Sequence, residues 1–106
     1  MNISKNKRNH LPYEGITEED LRDPEFRREY ERLKPKFEMI ESLIEARLIH
    51  NFTQEDLAEF IDSKQPVISR LESGKSNPTV GFLRKVADAL NADLRIEFIP
   101  RQTASH

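Results

Sequence analysis

A run of polar side chains between residues 63 and 70 has the residue types and spacing needed to contact base edges. Val67, Ile68 and Leu71 recur at helical spacing and give this segment one apolar face. The other positions are polar or small and share the opposite face: Ser63, Lys64, Gln65, Pro66, Ser69 and Arg70. A glutamine can bond adenine through two hydrogen bonds, arginine or lysine can bond guanine, and a proline ring can touch a thymine methyl. The pattern suits a helix that contacts DNA bases, while each of these residues taken singly is equally typical of a solvated surface.

Two short helices joined by a tight turn would position this face. Thr53 is a predicted N-cap for the first, with Asp56 completing a capping box. Ser63 is the predicted N-cap of the second, Pro66 lies in its first turn, and Gly74 ends it where positive φ is needed. Helices this short with so short a connection predict a crossed helix-turn-helix pair.

Two longer amphipathic segments flank this pair and predict the rest of a helical core. The segment at residues 35–50 carries an apolar stripe at helical spacing: Phe37, Ile40, Leu43, Ile44 and Leu48. The segment that begins at Thr79 carries a second stripe: Val80, Phe82, Leu83, Val86, Ala87 and Leu90. Asn51 and Asn91 follow the two stripes and are residues that tolerate the left-handed conformation at a helix end.

This run of motifs resembles the helix-turn-helix of the Cro/C1-repressor (xenobiotic-response-element) family. The matching stretches are TQEDLA at 53–58, QPVISRLESGK at 65–75 and NP at 77–78, and the similarity continues to residue 90. The resemblance implies an all-α fold: a five-helix lambda-repressor-like domain over residues 35–92.

The same resemblance assigns roles to individual polar residues. Gln65 and Arg70 stand where family members contact bases, and Lys64 and Ser69 flank them. Gln54 stands at the start of the preceding helix, where the positive end of the helix dipole suits a phosphate. The loop after the recognition helix resembles the second phosphate-contacting element of the family. Its residues are Lys75, Ser76 and Asn77.

One acidic residue of the match has an expected structural role. In the family, the acid at the position of Glu72 commonly supports the fold through a local ion pair. We expect Arg47, in the preceding long helix, to be its partner. The pair is therefore predicted to support the fold of the domain.

The N-terminal part of the chain divides into an arm and a helical extension. Residues 1–16 form a predicted flexible basic arm, and this is either a polar terminal tail or an arm that touches phosphates. Residues 17–34 form a predicted helical extension that ends before Pro35, because a residue preceding proline avoids the α region. Phe26, Tyr30 and Leu33 repeat at i, i+4 and i+7 and predict a narrow aromatic face. This face either packs on its own domain or binds a partner protein.

After residue 92 the apolar period changes from helical to alternating. Leu94, Ile96 and Phe98 alternate with polar residues and predict a strand over 93–100, followed by a disordered tail at 101–106. Other segments of the chain lack a β pattern, so pairing with a second copy would satisfy its backbone. We expect a homodimer formed through this strand; the alternative is an extended tail that lies on the helical domain.

Composition bounds the remaining function classes. The chain has no cysteine, three scattered histidines and three glycines, so the sequence predicts no metal site, no catalytic residue, no cofactor and no enzyme activity. Apolar runs stay well below the roughly 20 residues needed to span a bilayer, which predicts a cytoplasmic protein without membrane contact. The net charge of −2 means that DNA binding must depend on local placement of positive charge.

The two ends of the chain narrow the resemblance further. The stretches DPEFRREYERLKP at 23–35 and LRIEF at 94–98 resemble HigA-type antitoxins. This implies a chain that neutralises a small basic HigB-type toxin, which cuts mRNA on the ribosome, and represses its own operon at double-stranded operator DNA. One alternative is a stand-alone, phage-like helix-turn-helix repressor with no toxin partner. Another is an interaction module that has lost DNA binding.

Overall fold

The computed structural model describes residues 15–102 and places five helices within them. These are α1 (Glu18–Arg22), α2 (Pro24–Ile49), α3 (Gln54–Phe60), α4 (Gln65–Glu72) and α5 (Val80–Ala89). The predicted five-helix domain at residues 35–92 contains all or part of four of these helices, and α1 lies before it. Most of the predicted arm (residues 1–14) and most of the predicted tail (residues 103–106) fall outside the described residues.

Four of the five helices begin at a residue whose side chain caps the first turn, and α4 is the exception. Thr17 and Thr53 each form a complete capping box with the aspartate three residues later. The Asp23 side chain accepts a hydrogen bond from the backbone N–H of Glu25, and the Thr79 side chain accepts one from the backbone N–H of Phe82. These caps satisfy backbone donors that the first helical turn leaves unpaired, so each of these four helices begins at a defined residue.

The core lies where α2, α3, α4 and α5 meet. α3 packs against α4 and α5, and α4 packs against α2. Ile40, Leu57, Ile68 and Leu71 are the largest fully buried apolar side chains. The remaining buried apolar residues surround them: Phe37, Leu43, Ile44, Ala58, Ile61, Val86 and Leu90. Burial of these side chains holds two helices of seven and eight residues, α3 and α4, which are too short to be stable alone.

The prediction that a helix ends before Pro35 is wrong, because α2 runs through this residue as a single helix of 26 residues. A proline inside a helix removes one hydrogen bond, to the carbonyl four residues earlier, and disturbs the preceding turn. That carbonyl belongs to Glu31, which is exposed, so water can replace the lost donor. The N-terminal extension and the first core helix are therefore one rod, about 39 Å long at 1.5 Å per residue.

The first half of α2 projects from the core. Its buried residues begin only at Phe37, and residues 24–34 are exposed except for the half-buried Tyr30. None of the helices in residues 15–102 is long and apolar enough to cross a membrane.

The strand predicted at residues 93–100 is not formed in the single chain, where residues 92–102 have no regular structure. A strand is defined by hydrogen bonds to a neighbouring strand, and no strand occurs among residues 15–102. The predicted N-cap Ser63 is also wrong. Lys64 is the N-cap residue of α4 and makes no side-chain cap bond, while the backbone N–H of Ser63 donates to the Ala58 carbonyl at 2.7 Å.

Candidate nucleic-acid interface

The turn between α3 and α4 is tight and positions the start of α4. Asp62 adopts a φ of 60°, which reverses the chain immediately after α3. Gly74 has a φ of 82° and closes α4 at the predicted residue, with the backbone N–H of Lys75 donating to the Arg70 carbonyl at 3.0 Å. The eight-residue α4 is thus fixed at both ends by backbone geometry.

α4 has the two faces that the sequence predicts. Ile68 and Leu71 are buried, whereas Pro66 and Arg70 are exposed and Ser69 is half-buried. The other predicted DNA-binding residues lie on or beside the same helix-turn-helix unit. Lys64, Lys75 and Asn77 are exposed, and Gln54, Ser63, Gln65 and Ser76 are half-buried.

A buried ion pair supports this unit from inside. The resemblance implies an ion pair for Glu72, and its partner is the expected Arg47. Glu72 is 1% exposed and lies at the end of α4. Arg47 of α2 donates to its carboxylate twice, from Nε at 2.7 Å and from Nη2 at 3.0 Å. Arg47 also donates from Nη1 to the Phe52 carbonyl at 2.7 Å. One guanidinium therefore links α2, the start of the α3 segment and the end of α4.

The ion pair extends into a chain of hydrogen bonds that reaches the DNA-reading face. Gln54 donates from Nε2 to Oε1 of Glu72 at 2.9 Å. Gln65 in turn donates from Nε2 to Oε1 of Gln54 at 2.7 Å. The predicted phosphate-contacting residue and the predicted base-contacting residue are thus bonded to each other, and both are connected to a buried carboxylate.

This chain sets the orientation of both amides. An ionised carboxylate only accepts hydrogen bonds, so Gln54 must turn its Nε2 towards Glu72 and its Oε1 towards Gln65. Gln65 must then use its Nε2 to donate to Gln54. Its Oε1 and its second Nε2 hydrogen stay available for other partners. One acceptor and one donor on the same amide is the pair required to bond adenine N6 and N7.

Positive charge is concentrated beside this face. Lys64 precedes α4, Arg70 lies on it and Lys75 follows it, and all three side chains are exposed. They provide a local positive surface on a chain whose net charge is −2.

The loop after α4 has a support that the sequence analysis did not predict. Lys36 of α2 donates from Nζ to the Gly74 carbonyl at 3.1 Å and to Oδ1 of Asn77 at 3.2 Å. These partners are 38 and 41 residues away along the chain, so local patterns carry no signal for the contact.

The predicted partner-binding and dimerisation residues lie on other elements. Phe26 and Leu33 are each 36% exposed on the projecting half of α2, with the half-buried Tyr30 between them. In the C-terminal segment, Phe98 is fully exposed and Ile96 is 59% exposed. Leu94 is half-buried and lines an apolar groove between α2 and α5.

Comparison with known proteins gives a family for the region described above. Residues 43–96 match the helix-turn-helix family of the Cro/C1 type. The chain is also 40% identical over 58 residues to Multiprotein-bridging factor 1a of Arabidopsis thaliana, an alignment that covers 55% of this chain and 41% of that protein. No solved structure matches. Since the family match spans half of the chain and includes α3, α4 and α5, this protein belongs to the helix-turn-helix family of DNA-binding domains.

Proposed function

We propose that the chain is a transcriptional repressor that binds operator DNA sequence-specifically, with α4 in the major groove. Gln65 and Arg70 contact bases, and Lys64, Ser69, Pro66 and Ser63 border the same surface. Gln54 and the loop of Lys75, Ser76 and Asn77 contact phosphates on either side. The observation that carries this proposal is the hydrogen-bond chain from buried Glu72 through Gln54 to Gln65, which fixes the base-reading amide before DNA arrives.

We further propose that two copies bind the operator as a homodimer. The backbone of residues 93–100 lacks strand partners within the described chain, and Ile96 and Phe98 expose large apolar side chains beside Leu94. Antiparallel pairing of this segment about a two-fold axis would satisfy the backbone and cover those side chains. Dimeric helix-turn-helix proteins read half-sites about 34 Å apart.

The partner that best accounts for the projecting half of α2 is a small basic HigB-type toxin. Residues 24–34 place Phe26, Tyr30 and Leu33 along one side of a helix that the core does not cover. Residues 17–34 contain seven acidic and five basic residues, but four of the acids precede α2, and residues 24–34 alone carry three acidic and four basic residues. A charged amphipathic helix with a few apolar anchors suits a groove on another protein, and the net charge of −2 on the chain suits a basic one. On this proposal the chain is an antitoxin that neutralises an mRNA-cutting toxin and represses their shared operon.

A second candidate is a regulator without a toxin. The similarity to a protein named as a multiprotein-bridging factor favours contacts with several other proteins instead. A stand-alone phage-like repressor would use the extension only as scaffold.

Co-purification with the product of the adjacent gene, followed by a gel shift on the shared promoter, separates these candidates. Capture of a small basic protein together with promoter binding supports the antitoxin-repressor. Promoter binding without such a partner supports the plain regulator and rejects the antitoxin role.

A further inference from the structure

Lys36 connects the long helix to the loop that follows the recognition helix. It is the residue after Pro35 in α2, and its side chain is half-buried. Its ammonium group donates to the Gly74 carbonyl at 3.1 Å and to Oδ1 of Asn77 at 3.2 Å. A side chain from α2 therefore holds both the end of α4 and the middle of the loop.

The chemistry of this contact determines which side of the Asn77 amide faces outwards. An ammonium group has three donors and no acceptor, so only the Oδ1 atom of Asn77 can face it. The Nδ2 group, with two hydrogens, is then directed away from Lys36. Asn77 is exposed, so Nδ2 is free to donate to an oxygen outside the domain. Phosphate oxygens accept such bonds from asparagine side chains in protein–DNA complexes.

We propose that Lys36 is a positioning residue for the phosphate contact of this loop, acting through Asn77 and not through its own charge. The inference rests on the DNA binding proposed above and adds a residue from the long helix to that interface. Lys36 fixes the loop by its bond to Gly74 and orients the Asn77 amide by its second bond. Both bonds are present in the free protein, so the loop is ordered before it meets a phosphate.

A purely structural role is the competing explanation. A cation near the C-terminal end of α4 interacts favourably with the helix dipole. If this were all that Lys36 does, its loss would lower the stability of the domain and leave the affinity of the folded protein for DNA unchanged.

The test is a double-mutant cycle in the full chain with Lys36→Met, Asn77→Ala and both together. The probes are a duplex that the wild-type protein selects from a random-sequence pool and an unrelated duplex of equal length. Lys34→Met is the matched control, because it removes the same charge from an exposed position on the same helix. Thermal melts of each variant establish that the protein assayed is folded.

We expect Lys36→Met and Asn77→Ala each to weaken binding to both duplexes by about tenfold, because phosphate contacts do not depend on sequence. The double variant should bind DNA at most about twofold more weakly than the single variant with the lower affinity, since both changes remove the same phosphate contact. Lys36→Arg, which can donate to both oxygens, should restore binding to within about twofold of wild type. The salt dependence of binding should stay unchanged in Lys36→Met.

Three results would overturn the inference. Unchanged affinity in Lys36→Met leaves Lys36 a purely structural residue. If the affinity losses of the two single variants add in the double variant, and the salt slope of Lys36→Met is lower by about 0.9, Lys36 contacts a phosphate directly. The third result needs no DNA. In Lys36→Met the Asn77 side-chain amide resonances should shift and the Gly74 and Lys75 amides should exchange faster; unchanged spectra and exchange reject the contact. A wild-type chain that binds neither duplex rejects the proposed function instead, and the DNA-free measurement still decides the role of Lys36.

Discussion

Removal of Arg47 should severely destabilise the domain, because Glu72 is 1% exposed and receives two hydrogen bonds from it. Arg47→Met keeps an unbranched apolar stem of similar reach but removes all three of the bonds that the guanidinium donates. Among the described residues, only the bond from Gln54 then remains to the buried carboxylate. Breaking a buried ion pair by removing one partner costs about 3–5 kcal/mol. A domain of this size has a total stability of about 5–15 kcal/mol, so the loss is large.

Urea unfolding followed by circular dichroism measures this loss, and thermal melts should show a decrease in Tm of more than about 12 °C. Arg84→Met is the control, since it removes the same charge from an exposed position on α5 and should stay within about 0.5 kcal/mol of wild type. The double variant Arg47→Met with Glu72→Met should recover much of the loss, because no unpaired charge stays buried. An Arg47→Met cost below about 1 kcal/mol would refute the reasoning, because that is the value of a solvent-exposed pair.

The remaining predictions concern a cap, the homodimer and the partner. Thr53→Ala should cost about 1 kcal/mol by calorimetry, because it removes the side chain that accepts from the Asp56 N–H, and an unchanged Tm would contradict the cap. Deletion of residues 94–106 should give a monomer in analytical ultracentrifugation, and a dimer that persists would reject pairing through this segment. The double variant Phe26→Glu with Leu33→Glu should abolish capture of the adjacent-gene product in a pull-down without changing Tm. The control Phe60→Glu, at another exposed aromatic residue, should leave capture intact. Equal capture by all variants would contradict the partner surface.

Local signals in the sequence were sufficient for most helix ends. Thr17, Thr53 and Thr79 cap the helices that follow them, and Asn51 and Gly74 have positive φ at helix ends. Each of these signals depends on residues within a few positions of one another, so tertiary structure does not need to be known.

Features that depend on context were not predictable in this way. The continuation of α2 through Pro35 depends on the solvent exposure of the preceding turn, which the pattern does not record. The contact of Lys36 with Asn77 joins residues 41 positions apart. The Arg47–Glu72 pair was expected and is confirmed, but the family resemblance indicated only that Glu72 makes an ion pair, since its partner lies 25 positions away.

The candidate site was predicted as a set of residues, and the structure adds the way in which they are connected. The sequence indicates that Gln54 and Gln65 are polar residues at two helix starts. It contains no indication that their amides bond each other at 2.7 Å or that Glu72 sets their direction. Orientation of this kind requires three helices to meet, so it becomes visible only in the folded chain.

The role of α4 as recognition helix is tested most directly by the double variant Gln65→Ala with Arg70→Ala. Its affinity is measured for a duplex that the wild-type chain selects from a random pool and for an unrelated duplex. Each base contact should be worth about 1–3 kcal/mol, and each 1.4 kcal/mol is a tenfold change in Kd. We predict a loss of at least about tenfold on the selected duplex and little change on the unrelated one, because phosphate contacts remain. Equal affinity of the folded double variant and wild type for the selected duplex would contradict the assignment of α4 as the recognition helix.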